Sequence, residues 1–210
     1  MQDNEVLVIE GFERYSNYTG YASTFKFDGD YIQKPLANNR SRVPSTLVAM
    51  DALHFHTASN QFRQEHIDRE LNKVFIGFFN ENEGSEPSCV ASGNWGCGAF
   101  GGDPQLKSLL QLMGAAENGR DVLYFTFGDE KLRDDIFDVF TLLKNKKISV
   151  GSLYNILTSY WKDVLQNVNE KEEALKRTPL FDYIRNCLLF EEDTDIEEEN
   201  LPAVTINKGM

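Results

Sequence analysis

The residues best suited to binding chemistry lie in a glycine-rich segment, Gly93 to Asp103, which begins with five glycines in ten residues. Glycine-rich loops before a helix let backbone N–H groups converge on an anion, and the helix dipole also favours negative charge there. The segment has neither the lysine of a Walker loop nor the GxGxxG spacing. The pattern therefore favours phosphate or diphosphate binding, with a tight structural turn as the alternative. Trp95 and Phe100 offer aromatic faces within it, although Trp95 is better explained as a residue that fills the core beneath the loop.

Aromatic side chains lie beside two predicted strands. Tyr15, Tyr18 and Tyr21 precede one strand, and Phe125 and Phe127 end another. Ligand sites in α/β proteins form where strand ends meet at one edge of the sheet, so these rings could stack on a nucleobase while the glycine-rich segment binds its phosphates. The alternative is core packing, which strand alternation favours for Phe125 and Phe127 because it directs both to one face.

Other polar residues give weaker signals. His54 and His56 form a His-Phe-His pair on a predicted strand and could chelate a metal, but no third ligand is near, so an edge or core position is the preferred interpretation. Ser152, Asp182 and Cys187 have no partner spacing typical of a nucleophile. The three cysteines show neither CxxC nor Cys/His spacing. We therefore predict no metal, no cofactor and no disulfide framework.

The elements around the glycine-rich segment form a recognisable unit. A short strand signal at 89–92 precedes the segment, and a helix at 104–117 follows it, with Asp103 as N-cap and Pro104 at the first helical position. A strand over 121–128 comes next. The order strand, loop, helix, strand predicts a βαβ crossover and parallel strands.

The rest of the chain extends this α/β pattern. Apolar and β-branched runs predict strands, of which the first is buried, and a polar loop follows the second. Apolar residues three and four apart predict an amphipathic helix and then a helical C-terminal layer. The predicted strands are 5–10, 22–27 and 46–55, the loop is 28–45, and the helices are 61–79, 131–144, 149–168 and 180–190. The expected fold is a mixed sheet flanked by helices.

Composition limits the class of protein. The chain has 210 residues and a formal charge of −12, and residues 191–199 alone hold seven acids and no base. We predict a folded part, 1–190, and an acidic, disordered tail, 191–210. A strongly acidic chain is a poor generic nucleic-acid binder, because such binders rely on many Lys and Arg contacts. No apolar window is long enough for a membrane span and no signal peptide is apparent, so we expect an intracellular protein.

Five segments carry a family resemblance. They appear in family order and include the highly specific run GNWGCGAFGGD. They resemble successive blocks of the poly(ADP-ribose) glycohydrolase family. The resemblance implies a macrodomain core that binds ADP-ribose units and cleaves the ribose–ribose bonds of the polymer. The segments are 15–22, 50–55, 69–73, 93–103 and 122–129.

The resemblance also implies roles for individual residues. Tyr21 corresponds to a tyrosine that contacts the adenosine end, Phe100 to a phenylalanine near the distal ribose, and Phe127 to one beside the adenine. The loop that wraps the diphosphate corresponds to Asn94, Trp95, Gly96, Cys97, Gly98 and Ala99.

One family motif has no counterpart. The family's catalytic loop is a Gly-Gly-Gly run followed by Gln-Glu-Glu, whose glutamate acts as the general acid, and it lies upstream of the strand that opens this chain. The 210 residues contain no such motif, and Gln64-Glu65, in a predicted helix, does not replace it. We expect the chain to be the C-terminal part of a glycohydrolase that lacks the first macrodomain strands. Alone it should be catalytically inactive, with the apolar edge at 6–9 unpaired.

The expected partners follow from the family. They are poly(ADP-ribose), ADP-ribose and poly(ADP-ribosyl)ated proteins, in the nucleus or cytoplasm and in the response to DNA damage, without membrane or direct DNA binding. A short isoform that binds ADP-ribose without turnover is the alternative. A third hypothesis is that the helices after residue 129 and the acidic tail dock another protein.

Overall fold

The computed structural model describes residues 1–20, 22–32, 46–79 and 89–190. The chain divides into two units, Met1–Val6 with Met50–Met210 and Leu7–Ala49. The predicted acidic tail and most of the predicted loop at 28–45 lie outside the described residues, so both stay predictions. No helix in the described part is long and apolar enough to cross a membrane.

The larger unit contains the predicted βαβ crossover. Strand β5 (Val90–Gly93) pairs in parallel with β6 (Val122–Phe125), and helix α2 (Pro104–Glu117) connects them. Asp103 caps α2, because its Oδ1 accepts a hydrogen bond of 2.9 Å from the N–H of Leu106. The glycine-rich segment therefore lies between the end of a strand and a fixed helix start, as the sequence predicts.

Helices make up the rest of this unit. Helix α1 (Gln64–Gly77) follows a 3-10 turn at Ala58–Phe62 and packs against α2. The predicted C-terminal helices are present, with an additional short helix, α5, that the periodicity did not predict. They are α3 (Glu130–Asn145), α4 (Val150–Tyr160) continued by a π turn at Trp161–Leu165, α5 (Lys171–Arg177) and α6 (Leu180–Phe190).

The main core lies among these helices. Leu110 of α2, Leu157 and Tyr160 of α4 and Ile184 of α6 are all completely buried in one cluster. Each fully buried apolar side chain of this size contributes about 1.5–3 kcal/mol relative to exposure. A smaller cluster, which includes Val74 of α1 with residues of α2 and β6, supports the β5–β6 pair. The α/β class predicted from the sequence is confirmed.

The smaller unit consists of two antiparallel strand pairs. Strand β1 (Leu7–Glu10) pairs with β4 (Thr46–Ala49), and β2 (Ser16–Thr19) pairs with β3 (Lys26–Asp30). None of its described residues is buried. Two-stranded ribbons leave both faces open, which explains why this unit has no core among the residues described.

The structure corrects three element predictions. Strand β1 is not buried, since Leu7 and Val8 are 54% and 52% exposed, because it pairs with β4 in a two-stranded ribbon. The strand predicted at 22–27 begins instead as a 3-10 turn over 22–24 and becomes strand only at Lys26. The strand predicted at 46–55 ends at Ala49. The residues that follow bond elsewhere, as the N–H of Leu53 does when it donates to Oε1 of Glu70 (2.9 Å).

Candidate functional site

The glycine loop, residues 94–103, is held at both ends. At its start, the carbonyl of Gly93 accepts a hydrogen bond of 3.0 Å from Nε2 of the buried Gln111. At its end, the N–H of Asp103 donates to Oε1 of the buried Gln61 (2.6 Å). The loop is therefore fixed to the α2 layer at one end and to the 3-10 turn before α1 at the other.

Backbone hydrogen bonds close the loop and leave a run of donors. The N–H of Gly102 donates to Gly96 O (2.9 Å), that of Gly101 to Gly98 O (3.0 Å), and that of Cys97 to Asn94 O (3.1 Å). The N–H groups of Gly98, Ala99 and Phe100 have no acceptor among the described residues, and all three residues are exposed. Three successive amide donors in an exposed turn are the groups from which anion sites are built.

Packing requires glycine at three positions of the loop, since a Cβ added at Gly102 would lie 2.7 Å from the Gly96 carbonyl oxygen, and two further glycines also have a positive φ. Gly96 has φ +75°, and a Cβ added there would lie 2.5 Å from Cβ of Ala52. Gly101 has φ +70°, and its Cβ would lie 2.7 Å from the carbonyl oxygen of Phe55. The N–H of Phe55 in turn donates to Phe100 O (2.8 Å). The loop thus lies directly on the segment 50–55, whose backbone fixes its shape.

Asn94 is oriented by a buried tyrosine. The Tyr124 hydroxyl of β6 donates to Oδ1 of Asn94 (3.0 Å). Burial, and after it the electrostatic effects of Cys97 and Asp103, raise the pKa of Tyr124. The hydroxyl therefore keeps its proton and acts as the donor. This hydrogen bond fixes the orientation of the Asn94 amide. Its Nδ2 has no acceptor among the described residues, so it can donate to a ligand oxygen.

Trp95 packs under the loop. Its ring lies against the smaller core cluster, and its Nε1 donates to Met50 O (3.1 Å). The Nζ of Lys107 lies 4.0 Å from the ring centroid, within cation–π distance. The side chain is therefore partly buried beneath the loop, as the sequence analysis favoured.

Phe127 does not pack in the core, which corrects the interpretation from strand alternation. Strand β6 ends at Phe125, and Phe127 has φ 54° in the following turn, so the alternation no longer applies. Phe127 is 83% exposed and Phe125 44% exposed. The Phe127 ring lies over Gly93, where an added Cβ would be 2.8 Å from its Cε2. An exposed aromatic face thus lies at the start of the glycine loop.

Phe100 lies beside the two histidines. Its ring centroid is 5.5 Å from that of His54, and the rings of His54 and His56 are 4.4 Å apart. Both histidines are exposed and lie outside the strand that was predicted to hold them. No group of three His, Cys, Asp or Glu side chains among the described residues could hold a metal ion.

The three predicted tyrosines belong to the segment of the smaller unit, Leu7–Ala49. Tyr21 lies outside the described residues, so its predicted contact with the adenosine end stays a prediction. Tyr15 and Tyr18 belong to the smaller unit and are 72% and 58% exposed, and Tyr18 stacks on Phe25 with ring centroids 5.3 Å apart.

A buried charge cluster next to the loop was missed by the sequence analysis. Lys107 of α2 forms an ion pair with Glu70 of α1, and both side chains are almost completely buried. Arg69 forms ion pairs with Glu70 (Nη1 to Oε1, 2.7 Å) and with Asp51 (Nη2 to Oδ2, 2.6 Å). Lys73 forms a third ion pair, with Asp51 (Nζ to Oδ1, 2.8 Å). Partial burial favours a higher pKa for Asp51, but the hydrogen bonds from Lys73 and Arg69 outweigh it and lower the pKa to about 2. Charged residues on an amphipathic helix are usually solvated, so periodicity gave no signal of this cluster.

Cys97 has a thiol of low reactivity. Burial, and then the charge of Asp103, raise its pKa to about 12. Since only the thiolate is nucleophilic, very little of Cys97 is reactive near neutral pH. The predicted role of Cys97 in the loop therefore depends on its backbone and not on thiol chemistry.

We expect iodoacetamide at pH 8 to modify Cys89, which is exposed, about 100-fold faster than Cys97. Burial also raises the pKa of Cys89, but its side chain remains accessible. Peptide mass spectrometry over time measures both rates, with a sample unfolded in urea as the control in which the two rates converge. Equal rates in the folded protein would contradict the burial of the Cys97 thiol.

Comparison with known proteins identifies the family. The family profile described as poly(ADP-ribose) glycohydrolase, macro domain fold, matches residues 1–134. The chain is 31% identical to poly(ADP-ribose) glycohydrolase 1 of Arabidopsis thaliana over 76% of its own length and 41% of that protein. It is 34% identical to poly(ADP-ribose) glycohydrolase 2 of Caenorhabditis elegans over 75% of its length and 35% of that protein.

These relatives are much longer than the region they share with this chain, which spans about two fifths of their length or less. The matched residues contain the three strand pairs β1–β4, β2–β3 and β5–β6, the whole glycine loop and Phe127. The resemblance first read from the run GNWGCGAFGGD is thus confirmed over most of the chain. The chain belongs to the poly(ADP-ribose) glycohydrolase family, which has the macro domain fold.

Proposed function

We propose that the glycine loop and Phe127 form the ADP-ribose-binding part of a poly(ADP-ribose) glycohydrolase active site. The N–H groups of Gly98, Ala99 and Phe100 bind the diphosphate, and Nδ2 of Asn94 donates to a neighbouring ligand oxygen. The exposed ring of Phe127 stacks on the adenine, while Phe100 lies near the distal ribose.

The observation that carries this proposal is the run of three amide donors without acceptors among the described residues, in an exposed loop between β5 and α2. Neutral backbone donors bind a diphosphate without adding positive charge. This is how a chain with a formal charge of −12 can recognise an anionic polymer. Gly93 lies between the loop and Phe127, because it directly precedes the loop and the Phe127 ring packs against it.

Hydrolysis of the ribose–ribose bond also needs a general acid to protonate the leaving oxygen. The family's Gln-Glu-Glu motif does not occur in these 210 residues. Gln64 and Glu65 belong to the first turn of α1, where Glu65 pairs with Arg63 (3.7 Å). We therefore propose that the complete active site cleaves poly(ADP-ribose), and that this chain alone binds the ADP-ribose unit without releasing it from the polymer.

The test combines binding and turnover in one preparation of the 210-residue chain. Calorimetry with ADP-ribose is expected to give saturable binding, and labelled poly(ADP-ribose) is expected to release no ADP-ribose above the enzyme-free blank. Inosine 5′-monophosphate, which lacks both the diphosphate and the adenine, serves as the control ligand and should bind much more weakly.

Two results would contradict the proposal in different ways. Absence of ADP-ribose binding in a folded sample would rule out the glycine loop as a sufficient diphosphate site. Release of ADP-ribose at a rate that depends on the chain's concentration would mean that an acid among these residues replaces the missing glutamate.

The cellular setting proposed with this function is the nucleus or cytoplasm, with poly(ADP-ribosyl)ated proteins as the source of polymer.

A further inference from the structure

The glycine loop rests on a buried ion pair that has no part in the proposed ligand contacts. Lys107 in the first turn of α2 pairs with Glu70 in the middle of α1, and the two side chains are 1% and 3% exposed. Two charges are seldom buried this completely unless they are paired, because each loses its hydration. The pair therefore holds α1 and α2 in one arrangement beneath the loop.

The lysine is in contact with the loop itself. Its Nζ lies 4.0 Å from the Trp95 ring centroid. A Cβ added at Gly96 would lie 3.4 Å from Nζ, and one added at Gly102 would lie 3.2 Å from Cε. These two glycines are also joined by the Gly102 N–H to Gly96 O hydrogen bond (2.9 Å) that closes the loop. The lysine stem thus packs against both glycines, next to the atoms that an added Cβ would meet first, which are Cβ of Ala52 at Gly96 and the Gly96 carbonyl oxygen at Gly102.

The glutamate connects the same pair to the segment beside the loop. Its Oε1 accepts hydrogen bonds from the N–H of Leu53 (2.9 Å) and from Nη1 of Arg69 (2.7 Å). The segment 50–55 then contacts the loop at two points, where Met50 O accepts from Trp95 Nε1 (3.1 Å) and the Phe55 N–H donates to Phe100 O (2.8 Å). One carboxylate and one ammonium group therefore join α1, α2, the segment 50–55 and the loop.

Stability alone does not account for this arrangement. A buried ion pair is often no more stabilising than an apolar pair of the same size, because desolvation offsets the attraction. What the charges add is direction, since the carboxylate must meet the N–H of Leu53 and the ammonium group must meet both the carboxylate and the Trp95 ring.

We propose that Lys107 and Glu70 are positioning residues that fix the geometry of the glycine loop and thereby the diphosphate contacts of ADP-ribose. Neither side chain touches the ligand. This inference rests on the proposed function for its ligand, but its effect on the loop can be measured without any ligand.

The test compares four proteins: the native chain, Lys107→Met, the double variant Glu70→Gln/Lys107→Met, and Lys171→Met. Lys171 is the matched control, because its Nζ lies 5.9 Å from the centroid of the other tryptophan, Trp161, and it has no contact with the loop. Methionine keeps most of the lysine stem, and glutamine keeps the acceptor for Leu53, so both positions stay filled while the charges are removed.

In ligand-free samples, NMR hydrogen exchange is expected to accelerate at least tenfold at the amides of Gly101 and Gly102 in Lys107→Met, with the amides of α4 unchanged. ADP-ribose affinity is expected to fall at least tenfold, while the weak affinity for adenosine, which has no diphosphate, stays within twofold. The double variant should regain thermal stability, because it removes the carboxylate charge that has lost its lysine partner, but it should not regain loop protection or ADP-ribose affinity. Lys171→Met should behave as the native chain in all of these measurements.

Unchanged loop exchange in Lys107→Met, or full recovery of ADP-ribose affinity in the double variant, would overturn the inference. Equal losses for ADP-ribose and adenosine would also overturn it, since they would indicate general loss of structure and not loss of diphosphate positioning. If the native chain binds no ADP-ribose but the loop amides still exchange faster in Lys107→Met, the proposed function fails while the support of the loop by this pair stands. If Lys107→Met does not fold, the double variant decides alone, by the same loop exchange and the same comparison of ligands.

Discussion

Replacing Phe127 with alanine is expected to lower the affinity for ADP-ribose by about 10–100-fold, because stacking of one base on an aromatic side chain is worth about 1–3 kcal/mol. The ring is 83% exposed, so its removal should not destabilise the fold. Alanine carries a Cβ as phenylalanine does, so the positive φ at position 127 is no more strained in the variant than in the native chain. Calorimetry with ADP-ribose gives the affinity, and thermal unfolding checks that the fold is retained.

Phe79→Ala is the matched control for this prediction. Phe79 is also an exposed phenylalanine (58%), but it follows the C-terminal end of α1 and has no contact with the glycine loop. Its replacement should leave the affinity for ADP-ribose within about twofold, and Phe127→Tyr should retain most of it because the ring remains. An equal loss of affinity in Phe79→Ala and Phe127→Ala would argue against adenine stacking on Phe127.

The βαβ part of the fold could be predicted because its signals are local. The cap at Asp103, the proline at the first helical position and the apolar spacing of α2 all act within a few residues of each other, and the structure has each as predicted. The β1–β4 and β2–β3 pairs lacked such signals. The β1–β4 pair joins residues distant in sequence, and the β2–β3 hairpin has an irregular register between Ser16 and Tyr18. In such two-stranded ribbons the alternation of buried and exposed residues that marks a strand is weak.

The site could be predicted only as far as the backbone pattern reaches. Five glycines before a capped helix predict an anion loop, and the loop has a run of unbonded donors. The exposure of Phe127 could not be predicted from alternation, because the strand ends two residues earlier and the chain turns with a positive φ. Lys107 and Glu70 could not be assigned to the core, because their burial depends on a pairing between two helices that no local pattern encodes.

The glycines of the loop differ in the space available for an added Cβ. Gly101→Ala is expected to lower the free energy of unfolding by about 2–3 kcal/mol, because the new Cβ would meet the Phe55 carbonyl at 2.7 Å with φ at +70°. Phe55 O belongs to the backbone and cannot rotate away, so the loop and the segment 50–55 must separate. For a chain of this size the melting temperature should fall by about 4–10 °C.

Gly98→Ala tests whether that effect is specific to position 101. Gly98 has no atom within 4 Å of an added Cβ and does not have a positive φ, so alanine fits without strain. A glycine-to-alanine change at such a position restricts the unfolded chain, so the protein should be as stable as the native one or up to about 1 kcal/mol more stable. Urea unfolding measures this difference. The free energies of unfolding of the two variants should change in opposite directions relative to the native chain, or differ from each other by at least about 2 kcal/mol. Similar stabilities for both would mean that the loop can adapt at Gly101, and that its shape does not depend on close packing against Phe55.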